Sequence, residues 1–385
     1  MQKKRLRRIT LGNNTRLVTI GTTHTCLMFS RSTQIALAHA QFQAGAQLQG
    51  YWFSTGTKFH GLFAPYRFTA PSILHSMRTH FFFRSAAWFG IASLLVNPLA
   101  YGWGSVGHRM INRLAESALP SSMPAFLRTP SALDEVEYLG PEPDRWRSPT
   151  EPELSHAQAP EHFLDMEYLD QLGPLPHQRL DFEKDALAHG LDPAHVGLQP
   201  WQTDEVWERL KASFRAYREL SAKHQDTAAV QQAILFYIGW LGHYVGDGSQ
   251  PLHTTINYDG WALAANPNHF SREHGIHSLF ESQFVGSQGA NLHPSDVADK
   301  MTPPHLLQGD IFTVYMDYLH ATSGFIQPLY LLNKTGAFEG KGTQESRSFV
   351  EQRLASGASM LRDMIYTAWV RSADPVPQRS YLAGE

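Results

Sequence analysis

The chain has a single cysteine, Cys26, and none after it. A disulfide framework is excluded, so the order of the body must come from packing or from bound metal. Acidic residues are missing from the opening. Residues 1–76 hold nine Lys or Arg and no Asp or Glu, and the first acid is Glu116. Gly, Gln, Thr and Ser are scattered through that stretch without a helical or strand period, and such a segment is not expected to build a core. Long hydrophobic runs are scarce too. The apolar run at 86–96 is too short for a membrane span.

That run belongs to "MRTHFFFRSAAWFGIASLLVNPLAYG", which starts at Met77. Arg78 and Arg84 supply a positive start, 86–96 an apolar middle, and Ala100 and Gly102 small residues where a signal peptidase reads. The order predicts a secretory signal peptide over 77–102. A buried core helix and an organellar transit peptide are the other readings. On the signal-peptide reading, 1–76 is a mis-called translation start or a disordered basic extension. Cleavage after Gly102 then makes Trp103 the first residue of a mature domain, 103–385, that is secreted or periplasmic.

A basic surplus is absent from that domain. It carries 21 Lys or Arg against 35 Asp or Glu, a formal charge of −14, which the net −3 of the whole chain conceals. Long duplex nucleic acid selects basic surfaces. If the domain handles phosphates, something other than Lys and Arg must supply positive charge.

Helical periodicity dominates what is there. "TDEVWERLKASFRAYRELSAKH" (203–224) has apolar residues at helical spacing, with Thr203 or Asp204 as a cap. "AAVQQAILFYIGWLGHYVGD" (228–247) is apolar nearly all round, which predicts a central buried helix. Residues 310–332 read as a helix interrupted by Pro, and 348–372 as a final helix. Residues 140–160 and 254–275 read as loops. There is no repeat and no dividing linker, so one all-α domain is expected.

The densest chemical signal is "GHYVGDGSQPLH". His243 and Asp247 are four apart on the central helix and share a face. Gly248 and Pro251 then turn the chain back toward His253. "HGIHSLFES" sets His277 and Glu281 four apart again. Paired i, i+4 ligands aimed inward are a way for helices to build a metal site. One such pair alone is weak evidence. A carboxylate inside an apolar helix, however, costs several kcal/mol if unpaired, on the order of 3–5, so Asp247 needs a partner.

With "WGSVGH" at 103–108, "PDRWR" at 143–147 and "EHFLD" at 161–165, these motifs run in order across 103–372. Together they resemble the zinc-dependent phospholipase C and single-strand nuclease superfamily. The resemblance implies an all-α fold with three zinc ions in a cleft. It implies a first zinc on Asp144, His162, His243 and Asp247, and a second on His253, His277 and Glu281. A third would lie on Trp103 and His108, sharing Asp247, with Trp103 chelating through its amino nitrogen and carbonyl oxygen. That amine exists only after cleavage, and its ordinary pKa of roughly 7.7–8.0 lets zinc hold it deprotonated. His156, His269 and His274 match no ligand position and read as surface or supporting residues. The ligand carboxylates bring −3 against +6 for three zincs. One cleft would thus attract a phosphodiester that the acidic surface repels.

The same resemblance offers two substrates. The short Trp-to-His spacing, Arg147 of "DRWR", and Phe163 and Asp165 of "HFLD" are similar to the nuclease branch. There the arginine steadies phosphate charge, the phenylalanine stacks on a base and the aspartate hydrogen-bonds it. This implies single-stranded DNA, RNA or nucleotides hydrolysed to 5′-phosphates by metal-activated water, with Asp144 orienting the water. Packing is the plain alternative for Phe163. Glu281, the wording "GIHSLFES" and the lack of cysteines are closer to phospholipase C, with phospholipid as substrate. The 254–275 stretch also lacks the Gly-Gly-Asn of the nucleases. A zinc-binding protein without catalysis is the third reading. No stable protein partner is implied, and a monomer is expected.

Overall fold

The computed structural model describes residues 103–286 and 291–376, together with the backbone of two short strands. The chain divides into two compact units, Met1–Phe81 and Phe82–Glu385. In the first, β1 (Arg16–Thr19) and β2 (Cys26–Phe29) pair antiparallel, Arg16 opposite Phe29. The expected signal peptide, 77–102, and most of the basic extension lie outside the described residues.

The described residues of the second unit are helical, with an isolated bridge between Tyr258 and Gly260. Its principal helices are α1 (Gly104–Ser117), α2 (Pro130–Leu139), α3 (Glu142–Trp146), α4 (Pro152–Gln158), α5 (Gln199–Ala222), α6 (Ala228–Asp247), α7 (Ile311–Ser323), α8 (Ile326–Lys334) and α9 (Gln344–Arg371). No helix among the described residues is long and apolar enough to cross a membrane.

The central helix spans the expected residues. α6 packs against α1, α2, α5 and α9. From Leu241 to Asp247 every residue is buried, because neighbours cover that end on all sides. Its first half is less enclosed: Phe236 is exposed, and Trp240 meets the edge of Trp146 with ring centroids 5.3 Å apart.

Three expectations need correction. The 203–224 helix starts four residues early, at Gln199, with Pro200 in its first turn. Pro is at home there, since that N–H has no helical partner. Thr203 is therefore not a cap: its hydroxyl donates to the Gln199 carbonyl at 2.8 Å. The stretch 140–160 is not a loop. It holds α3 and α4, each with Pro in its first turn. The break in 310–332 falls at Gly324 and Phe325, between α7 and α8, while Pro328 sits inside the first turn of α8.

Residues 302–307 form an extended strap along one face of α9. Ser359 Oγ accepts from the N–H of Thr302 (3.1 Å), Asp363 Oδ1 from His305 (3.2 Å) and Thr367 Oγ1 from Leu307 (3.0 Å). Those three acceptors are four residues apart, one helical face. The buried Arg362 completes the tie, donating to the Thr302 carbonyl.

Candidate metal centre

The site grows from the last turns of α6. His243 and Asp247 lie one turn apart there, and His243 Nε2 is 3.3 Å from Asp247 Oδ2. α1 crosses α6 at Gly242 and Gly246, while Gly239 faces Leu139 of α2. A Cβ on Gly242 would fall 2.1 Å from Asn112 Oδ1, and one on Gly246 3.0 Å from His108 Nδ1. Without those side chains the helices close up, and the His108 ring stacks on His243 with centroids 4.0 Å apart. His108 Nε2 reaches Asp247 Oδ1 at 3.3 Å. Asn112 fixes the crossing, donating to the carbonyls of Val136 and Gly239. Trp103 is buried at the same place. Its indole N–H lies 2.8 Å from both the Gly246 carbonyl and Ser249 Oγ.

Asp144 arrives on α3 and His162 at the end of a tight 3₁₀ turn, Ala159–His162. His162 Nδ1 is 3.0 Å from His243 Nε2 and 3.1 Å from Asp247 Oδ2. Asp144 Oδ1 is 4.0 Å from His162 and 3.9 Å from His243. On the other side, His253 lies within the 3₁₀ turn Pro251–Thr254. Its Nε2 is 3.3 Å from Glu281 Oε1, and His277 Nε2 is 3.0 Å from Glu281 Oε2. His277 and Glu281 do not share an ordinary α-helix. His277 lies in the turn Ile276–Ser278, and Glu281 in the wider π-helical coil Leu279–Gly286 that continues it.

Three groups of buried side chains thus come within ligand reach of a common point: His108, His243 and Asp247; Asp144, His162 and His243; His253, His277 and Glu281. The second group brings together three of the four residues expected for the first ion, and the third group is the set expected for the second. The group at His108 differs in having His243 where Trp103 was placed, with Trp103 held alongside by its indole.

The donor set fits a cation. Asp144 Oδ1 and Oδ2, His108 Nε2, His162 Nε2, Asp247 Oδ1, His253 Nε2, His277 Nε2 and Glu281 Oε2 are all buried without a hydrogen-bond partner. Buried polar groups are ordinarily satisfied, so this many orphans in one place point to an ion. All are the oxygen and nitrogen donors that zinc accepts. Three rings are also aimed. His243 Nδ1 is on the Gly140 carbonyl (2.9 Å), His253 Nδ1 on that of His162 (2.7 Å) and His277 Nδ1 on that of Tyr258 (3.2 Å). Each carbonyl accepts a hydrogen bond from Nδ1–H, which leaves the Nε2 lone pair to face a metal.

The cluster's charges balance one another. Burial pushes the Asp144 carboxyl up to about 7, against the pull of His108. Burial also opposes ionisation of Asp247, but His243, His253 and His108 outweigh it and hold the group well below the usual carboxylate range. Against the same burial, His277 and His253 bring Glu281 down to about 2. His253, despite burial, is raised to about 9 by Asp247 and Glu281.

A cleft of about 530 Å³ opens beside the cluster, walled by Arg147, His162, Phe163, Asp165, His253 and His277 among others. Arg147 Nη1 is 3.9 Å from Asp144 Oδ1. Phe163 is half-buried on the cleft wall. Burial, with Glu167 nearby, raises the Asp165 carboxyl to about 7. His156, His269 and His274 are exposed.

Sequence reasoning missed the supports. Gln250 donates to Glu281 Oε1 and accepts from the Leu252 N–H. Gln199 donates to the carbonyls of His162 and Tyr244. Glu167 ties down the next loop through Thr255, the Ile256 N–H and Asn257. Only Gln250, caught between Asp247 and His253 in the chain, carried a local signal.

Buried imidazoles and carboxylates opening on a cleft make a candidate metal site. A model of the S1/P1 Nuclease family matches residues 103–358, and the chain belongs to that family. The chain is 26% identical over 166 residues to a probable serine protease of Bradyrhizobium tropiciagri, covering 37% of this chain and 21% of that protein. It is also similar to the alpha toxin of Clostridium absonum (12% identity, TM-score 0.35, 71% of this chain and 65% of that one). The Clostridium perfringens alpha-toxin from avian strain SWCP is comparable (11%, TM-score 0.31, 71% and 64%). The chain spans about a fifth of the curated relative and just under two thirds of each toxin.

Proposed function

We propose that the protein is a zinc-dependent endonuclease and 3′-nucleotidase that cuts single-stranded DNA or RNA, leaving 5′-phosphates. The observation that carries the substrate is Phe163, an aromatic face on the wall of the metal cleft, with Asp165 two residues on and Arg147 on the same cleft beside Asp144. Stacking on an aromatic is worth roughly 1–3 kcal/mol per base and tolerates any sequence. A base on Phe163 brings its phosphate toward Arg147, which donates to the phosphate oxygens. Asp144 accepts a proton from the attacking water and orients it. Asp165 meets the base edge. Bound zinc ions supply Lewis acidity and lower the pKa of water.

On this reading three ions bind, the third using Trp103 as the mature N-terminus after removal of 77–102 by the export machinery. The match to the family begins at Trp103, which supports that start. N-terminal sequencing of exported protein should read Trp-Gly-Ser-Val-Gly-His.

Phospholipid is the second reading. Leu252, Ile256 and Ala262 give the same cleft an apolar wall, and Glu281 stands among the ligands. The deciding test assays the purified protein on single-stranded DNA and RNA and on phosphatidylcholine, with and without chelator. Chelator-sensitive cleavage of nucleic acid with no lipid turnover is expected. Lipid turnover alone would make it a phospholipase C, and metal content without hydrolysis of either a binding protein.

A further inference from the structure

A second cavity, of about 390 Å³, lies between the strap at 302–307, α7 and α9. No ligand of the metal centre lines it. Its charges are arranged unlike those of the surrounding acidic surface. Lys300 pairs with Glu351 at 3.0 Å through one of its three N–H donors, and Arg362 pairs with Asp363 at 2.8 Å. His305 places Nδ1 2.9 Å from Asp363 Oδ2, which fixes its tautomer and turns Nε2 away from the carboxylate.

Arg353 is left over. Its Nε is buried with no hydrogen-bond partner. Its guanidinium lies 3.6 Å from the Phe325 ring centroid, a cation–π contact, and none of the salt bridges among the described residues includes it. A cation–π contact compensates a desolvated guanidinium only in part. The cavity thus holds one positive charge with no carboxylate partner, beside an imidazole whose Nδ1 is taken up by Asp363. Ser356 and Ser359 add hydroxyls to the same wall.

We propose that this cavity binds a small phosphomonoester, with Arg353, Lys300 and His305 around the phosphate. A guanidinium fork and a nearby ammonium match phosphate geometry and charge. The volume falls in the range of small-molecule sites, about 300–1,000 Å³, and exceeds a lone phosphate. Leu307, Tyr318 and Met360 supply an apolar wall for the rest of the molecule. The site is separate from the metal cluster and does not depend on which phosphoester that cluster cuts.

Equilibrium dialysis of the metal-loaded protein against 5′-AMP, inorganic phosphate and adenosine tests this. The metal centre can also hold a phosphate, so the readout is the change between variants. Wild type should bind 5′-AMP at one more site than Arg353→Gln, and Lys300→Ala should weaken that extra site at least about tenfold. Adenosine should not occupy it, and inorganic phosphate should bind it more weakly than 5′-AMP. Phosphoesterase turnover should be unchanged in both variants. Lys300 is exposed, so its variant guards against misfolding at Arg353. Equal 5′-AMP stoichiometry and affinity in wild type and both variants would overturn the proposal, as would adenosine binding as tightly as 5′-AMP.

Discussion

Asp247 Oδ1 lies 3.3 Å from His108 Nε2, and Oδ2 lies 3.1 Å from His162 Nδ1. One carboxylate at the end of α6 therefore faces imidazoles carried by two other segments. Asp247→Ala should release metal from both sides and reduce turnover by more than ~100-fold, since even supporting residues around a metal cost about 10–100-fold. Metal content after dialysis and steady-state rates measure this together. Near-normal turnover with full metal would refute the site.

Gln250 tests the support layer. It donates to one oxygen of Glu281 while its own oxygen is held by Leu252. Gln250→Ala leaves every donor atom in place but frees the carboxylate to rotate. Metal affinity should drop about 10–100-fold, read by competition with a chromogenic chelator. Unchanged affinity would mean that the π-helical coil alone aims Glu281.

Phe163→Ala separates the substrate readings. Loss of a stacking platform worth roughly 1–3 kcal/mol should raise KM for single strands about 5- to 150-fold. Metal content should stay constant. If KM does not move, Phe163 serves packing.

Glu116 gives a pH signature in stability. Both its carboxylate oxygens are buried without partners. Burial, then Glu135, lift its pKa from 4.5 to about 8, with Arg113 opposing. The folded state therefore holds the proton more tightly than the unfolded chain. That stability is fully present below about 4.5 and lost as pH rises through about 8. Glu116→Gln keeps the shape without the titration. Its Tm should match wild type near pH 4 and exceed it by ~5 °C near pH 9. Equal Tm values at both would show that Glu116 gains a partner on ionising.

The ligand pattern was legible because His and Asp stand out in an apolar helix, and a four-residue spacing forces them onto one face. α6 was readable end to end for the same reason, its apolar sequence matching the all-round burial of its last turns. The 140–160 stretch misled because Pro reads as a breaker in sequence but starts helices in the fold; Pro143 and Pro152 both stand in first turns. Gln199 was hidden by distance. Its carbonyl partners are 37 and 45 residues away, and nothing local marks a glutamine that will be buried.

Gly239, Gly242 and Gly246 weaken α6 by ~1 kcal/mol each relative to alanine, yet a methyl group at any of them would strike Leu139, Asn112 or His108. The usual recipe for a heat-resistant variant, replacing helical glycine by alanine, therefore works backwards along this seam. A hardier enzyme would have to be built from the outer faces of α5 and α9. The middle of α6 would stay soft in sequence and rigid only by confinement.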